Sequence, residues 1–173
     1  MDPDTQSYSQ PPKFHLALDC IIFGFDRGEL KLLIHQRRFE PFTGHWSLFG
    51  GFLRADENLS DSAGRVVSVA YYALIPAHRY SATYSRRYGA TWVNLHELPE
   101  LIMDHNAMVE EGLRSLRRCA SSQPIGFELL PKEFTIPKLQ SLYKTIFQSG
   151  LDKRNFRKKK YNKLMNAGTG FTI

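Results

Sequence analysis

The stretch Gly44 to Glu57, GHWSLFGGFLRADE, constrains the fold more than any other part of the chain. Within it Trp46-Ser47-Leu48-Phe49 alternates in the manner of a β-strand, and Gly50-Gly51 follow at once. Paired glycines after a strand allow either a backbone turn or a ligand approach that a Cβ would block, and the pair alone leaves both readings open. Six positions beyond Gly51 stands Glu57, so a carboxylate follows the glycines at a set interval, G-x5-E. The rest of the chain has to decide what this turn serves.

The charge distribution divides the chain. Up to residue 123 there are 13 basic against 14 acidic residues, and from 124 to 173 there are 10 against 3. A near-neutral unit followed by a basic one points to a polyanionic partner for the second, the alternative being a solvated lysine-rich tail. The 173 residues, 42% of them apolar, suffice for one domain or two small ones. The longest apolar run, Ala17 to Phe25, is broken by Asp19 and is too short to cross a bilayer. The start, MDPDTQSYSQPPK, has no hydrophobic signal core, so a soluble cytoplasmic protein without membrane partners is expected. Cys20 and Cys119 are too few and too isolated for a disulfide framework or a metal cluster and read as plain thiols.

Residues 1–12, rich in Ser, Gln, Asp and Pro, read as a disordered leader. Phe14 to Phe25 and Glu29 to His35 read as the two strands of a hairpin turning at Asp26-Arg27-Gly28, with a polar loop, QRRFEP, after it. Asn58 to Ala63 looks like the first turns of a helix, followed without a crossover by a long central strand, Val66 to Ile75. A short strand at Trp92-Val93-Asn94 precedes a turn into a helix. That helix carries Ala107, Met108, Val109, Leu113 and Leu116 and ends near Arg117-Arg118. Ser121-Ser122-Gln123-Pro124 is the expected linker and coincides with the charge boundary. Beyond it Thr135 is placed to cap a helix with Leu139, Leu142, Tyr143 and Ile146 at helical spacing, stopped by Gln148-Ser149-Gly150. Asp152 then caps a short basic helix, KRNFRKKK.

Helix, glycine turn and basic helix outline a helix-turn-helix, whose second helix enters the major groove. Phe156 would face the first helix, which leaves Arg154, Asn155 and Arg157 for base edges and Lys153 and Lys158 for phosphates, with Thr135 and Lys138 on the first helix beside them. Seven basic residues from Lys153 to Lys163 would repel one another without a polyanion, which weighs against a merely solvated helix end.

The interval G-x5-E resembles the opening of the Nudix box, which continues x7-R-E-U-x-E-E-x-G-U with U aliphatic. Arg65 stands at the box arginine, but Val66, Val67, Ser68, Val69 and Ala70 follow in place of the glutamates, and Phe49 replaces the box proline. No catalytic residues, metal ligands or cofactor are therefore expected, since Mg²⁺-assisted diphosphate cleavage needs several carboxylates and Glu57 alone cannot supply them. Taken with the basic C-terminus, the segments DCIIFGF (19–25), RRFEP (37–41), HWSLFGGF (45–52), VVSVAYYALI (66–75), WVNLHELP (92–99), GFELLP (126–131) and LDKRNFRK (151–158) resemble the Nudix-related transcriptional regulators.

That resemblance implies an α+β fold: a Nudix-like α/β/α sandwich with a mixed sheet at 13–122 and a winged helix-turn-helix at 123–173. Two family segments are missing from the sequence, a box helix with its strand near Ala63/Gly64 and a wing near Lys158 to Lys160. The implied function is a ligand-responsive repressor acting as a homodimer on operator DNA. The wording of DCIIFGF, FEP and LDKRNFRK is closer to the arabinose-responsive branch, which makes L-arabinose the expected effector. An ADP-ribose-sensing regulator and a Nudix hydrolase of a nucleoside diphosphate derivative are the alternatives. A sugar pocket needs an aromatic platform with carboxylates and a guanidinium around it, and Asp19, Arg37, Glu40, Trp46 and Glu57 could supply these near the glycine turn.

Overall fold

The computed structural model of the chain describes residues 14–52, 65–77, 87–131 and 133–148. Strand β1 (Phe14–Asp26) and strand β2 (Glu29–Gln36) form the expected hairpin, in antiparallel register from Ile22 opposite Leu33 to Asp26 opposite Glu29. Arg27 and Gly28 both take positive φ, 51° and 85°, the turn geometry whose twist matches that of the flanking strands. Side chains alternate faces along a strand, so Ile21, Phe23 and Phe25 of β1 and Leu30, Leu32 and Ile34 of β2 form one apolar surface, each at most 4% exposed.

Four further strands complete a six-stranded mixed sheet: β3 (Trp46–Ser47), β4 (Phe49–Phe52), β5 (Arg65–Ile75) and β6 (Ala90–Asn94). The organising strand is β1, which pairs with β2 and β4 antiparallel and with β5 in parallel over eleven residues, Phe14 opposite Arg65 to Gly24 opposite Ile75. In turn β2 pairs with β3 and β6. Two expectations are corrected. The long strand at 66–75 exists but is not central, because β1 is its only partner among the described strands. The Gly50-Gly51 pair is not a turn at a strand end; it lies inside β4, with Gly50 opposite Asp19 and Gly51 opposite Leu18. A Cβ on Gly50 would run into the Asp19 carboxylate and come within 2.5 Å of the Leu18 carbonyl oxygen, so the glycine is there to let β4 close over a buried acid.

Helix α1 (His105–Ser122) continues through Ser122, past the expected stop at Arg117-Arg118. Its buried line is His105, Val109, Gly112, Leu116 and Ala120, while Ala107 faces solvent. Gly112 permits a close approach to the sheet, since a Cβ there would sit 2.9 Å from Cδ1 of Ile21. Helix α2 (Ile136–Phe147) buries Leu139, Leu142, Tyr143 and Ile146 at the spacing read from the sequence. The side chain of Thr135 makes no capping hydrogen bond there; its carbonyl accepts from the Lys138 and Leu139 amides instead. The last turn of α2 is closed by Gln148 in the left-handed region, φ 50°, rather than by glycine. Both helices share one core with the sheet, from Ile21 and Phe23 to Leu116, Leu142 and Ile146. Among the described residues no helix is long and apolar enough to cross a membrane. The helical turns expected at 58–63, the basic helix and the two positions at which family segments were expected to be missing lie outside the described residues.

A candidate ligand cavity at the head of helix α1

The inward row of β1 changes character along its length. Ile21, Phe23 and Phe25 fill the core, but the same face continues toward the N-terminus as Asp19 and Ala17, too small and too polar to fill the space below α1. A cavity of about 910 Å³ opens there. Its volume is that of a site for a ligand larger than a single sugar ring, toward the upper end of the usual range for small-molecule pockets. Strands β1, β4 and β5 supply Asp19, Phe49 and Ser68, the loop after β2 supplies Arg37 and Arg38, and Asp104 and His105 come from the start of α1. Arg87 and Tyr88 close the side next to β6.

The floor is a buried polar network. Asp19 is 7% exposed and accepts a hydrogen bond at Oδ2 from the Ser68 hydroxyl, while His105 Nε2 lies 3.7 Å from its Oδ1. His105, 6% exposed, accepts the Leu48 amide at Nδ1 over 3.1 Å. That bond leaves its proton on Nε2, facing the acid. Burial lowers the His105 pKa below the usual imidazole range, although Asp19 and Asp104 pull it upward and Arg37 and His35 push it further down. A neutral imidazole is thereby held between the backbone of the glycine-rich stretch and the acid of β1.

The walls are cationic and aromatic. The guanidinium of Arg37 is tied by Nε to the Pro41 carbonyl at 2.9 Å, and its loop is closed by the Arg37 amide on the His45 carbonyl and the Gly44 amide on the Arg37 carbonyl, 3.0 and 2.8 Å. Arg38 reaches across to Gly89, beside Arg87, whose guanidinium lies 5.6 Å from the centre of the Tyr88 ring. The rings of His35 and Phe49 are 4.6 Å apart. Phe39, Tyr88 and Met103 stand exposed at the mouth. Three arginines around one opening with flat apolar surfaces between them suit an anion joined to a planar group.

Of the five ligand-binding residues expected from sequence, Asp19 and Arg37 line this cavity. Glu40 is exposed in the neighbouring loop, where it accepts a hydrogen bond from Thr43 at 3.0 Å, and is not part of the lining. Trp46 lies outside the lining too: its backbone pairs with Gln36 and Leu101, and its ring packs against the core. Glu57 lies outside the described residues. Sequence reasoning missed His105, Arg38, Arg87 and Tyr88. Arg38 adjoins Arg37 and could have been read with it; His105, Arg87 and Tyr88 come from elements far along the chain. Among the described residues no group of three or more His, Cys, Asp or Glu side chains is placed to hold a metal ion.

Thr135 and Lys138 are exposed at the start of α2. Lys153, Arg154, Asn155, Arg157 and Lys158 lie outside the described residues. Residues 126–167 match the NrtR DNA-binding winged helix domain. Over the described residues the fold is α+β, a Nudix-like mixed sheet packed with helices, and it is similar to the fold of solved NrtR and Nudix proteins. The chain is 27% identical over 184 residues to the ADPR responsive transcriptional repressor NtrR of Acinetobacter baylyi, covering 87% of this chain and 74% of that protein. Shewanella oneidensis NrtR superposes with a TM-score of 0.73 at 24% identity, over 84% of this chain and 83% of its own. The same Shewanella protein complexed with a 27mer DNA gives 0.72, again at 24% identity, over 83% and 81%. A MutT/nudix family protein from Enterococcus faecalis gives 0.69 at 20% identity, over 86% and 81%. The Acinetobacter protein is described as ADPR responsive, and none of these proteins is described as arabinose-responsive.

Proposed function

We propose that the chain is a transcriptional repressor that binds operator DNA through its C-terminal winged helix and releases it when a nucleoside diphosphate sugar of the ADP-ribose kind enters the cavity. The observation that carries this reading is the gathering of Arg37, Arg38 and Arg87 on one cavity with Phe49 and Tyr88. A diphosphate between guanidinium groups and a base against an aromatic face use all of these groups. L-Arabinose, the effector expected from sequence, is neutral and small and would leave the arginines unpaired. The Acinetobacter relative, described as ADPR responsive, favours the same choice.

The basic residues from Lys153 to Lys158 would contact the duplex, with Thr135 and Lys138 near its backbone. Two such units in a homodimer would meet half-sites about one helical turn, roughly 34 Å, apart. The boundary between sensing and DNA-binding units is set at residue 123, where the charge changes. The test is release of a selected duplex, followed by fluorescence anisotropy. ADP-ribose at micromolar to millimolar concentration should release it and L-arabinose should not; release by arabinose alone would reverse the choice of effector.

A further inference from the structure

Helix α1 begins in the cavity and ends against α2. Twelve residues separate His105 from Arg117, about 18 Å along the axis at 1.5 Å per residue. From there Arg117 reaches over the C-terminal end of α2: its Nε donates to the Ile146 carbonyl at 2.9 Å, and Nη2 donates to Oε1 of Gln148 at 2.8 Å. The Ile146 carbonyl is one of those a helix leaves unpaired at its C-terminus, where a cation also meets the negative end of the helix dipole. Gln148 can present its side chain there because it takes the left-handed conformation that closes the helix. On the other flank the Thr145 hydroxyl lies 3.0 Å from the Gly28 carbonyl and 2.9 Å from that of Ser141, sharing its proton between the β1–β2 turn and its own helix. The last turn of α2 is thus held by α1 on one side and by the sheet hairpin on the other.

The matched winged helix domain starts at residue 126, so α2 lies inside it and its final turn leads toward the basic run. We propose that Arg117 is the positioning residue through which the cavity sets the DNA-binding segment, a proposal that rests on the effector-responsive reading above. Helix α1 is packed without slack on β1 at Gly112, and Leu116 beside Arg117 is fully buried. A displacement of its first turn by a ligand at His105 is therefore carried along a close-packed rod rather than absorbed by side chains. At the far end a guanidinium grips a carbonyl and an amide together in fixed geometry, which a lysine or a neutral donor cannot do.

The experiment compares wild type with Arg117→Ala and Gln148→Asn; asparagine tolerates the left-handed conformation but is shorter than glutamine. For each, calorimetry gives the affinity for ADP-ribose, a thermal melt checks the fold, and anisotropy gives the affinity for a duplex selected by the wild-type chain from a random-sequence pool, with and without ADP-ribose. ADP-ribose affinity should stay within about twofold in both variants. The ligand-induced change in duplex affinity, on the order of 5–150-fold for an ordinary coupling, should fall below about threefold in Arg117→Ala and move the same way in Gln148→Asn. Retention of the wild-type ratio in Arg117→Ala overturns the proposal, and so does a parallel loss of both duplex affinities with the ratio intact, which marks a merely structural contact. A wild-type chain whose duplex affinity ignores ADP-ribose overturns the effector reading itself, and this proposal with it.

Discussion

His105 stays neutral where two carboxylates, Asp19 and Asp104, favour its charged form, because burial outweighs both. Its folded pKa lies below the unfolded value of about 6.5, so the folded protein binds fewer protons at this site than the unfolded chain. The stability this group contributes is therefore whole above pH about 6.5 and is lost as pH falls toward the folded value. The melting temperature should drop on acidification through that window, and His105→Asn, which keeps an acceptor near the Leu48 amide, should flatten the profile; an unchanged slope would remove His105 from the account. The two adjacent glycines make a sharper contrast. Gly50→Ala sets a methyl group against the Asp19 carboxylate and the Leu18 carbonyl, whereas among the described residues nothing lies within 4 Å of a Cβ on Gly51. Denaturant unfolding should show Gly50→Ala destabilised by about 1–3 kcal/mol, the usual range for overpacking, and Gly51→Ala nearly unaffected.

At the scale of elements, α2 was the most legible part of the sequence, since the spacing of Leu139, Leu142, Tyr143 and Ile146 named its buried face correctly. The stripe on α1 was read less well. Its buried face includes His105 and Gly112, residues that do not count as apolar in a periodicity search but fit because the helix lies close on Ile21. The end of α1 escaped too, whereas α2 stops at Gln148 as the Gln148-Ser149-Gly150 signal implied; what had no local signature is the manner of closure, by Arg117 and a left-handed Gln148. The burial of Leu142 at 0% exposure gives the element-scale prediction. Leu142→Ala should cost about 2–5 kcal/mol, while Lys144→Ala on the exposed side of the same helix should change stability by less than about 0.5 kcal/mol. Equal effects in thermal melts would contradict the packing described.

For the whole molecule, the charge division was plain in the sequence and the cavity was not. Asp19 and Arg37 were within reach of sequence reasoning because both lie near the glycine-rich stretch in the chain. Arg87, Tyr88 and His105 join them only through the sheet, which brings β6 beside β2 and the head of α1 beneath β4. Trp46 misled because an aromatic next to a glycine turn suits a sugar platform and a core anchor equally well. The basic C-terminal segment predicts a polyelectrolyte response: the logarithm of duplex affinity should fall linearly with the logarithm of salt, and each lysine lost from phosphate contact should reduce the slope by about one. A flat salt dependence would leave the basic run without its partner.

The row that runs from Phe25 through Ile21 to Asp19 and Ala17 makes the cavity floor a continuation of the hydrophobic core. A ligand seated there becomes the last layer of the fold, and its affinity is stored as resistance to unfolding. At a hundredfold excess over its dissociation constant, ADP-ribose should add about 2.7 kcal/mol to the folded state, visible as a rise in melting temperature with no DNA present.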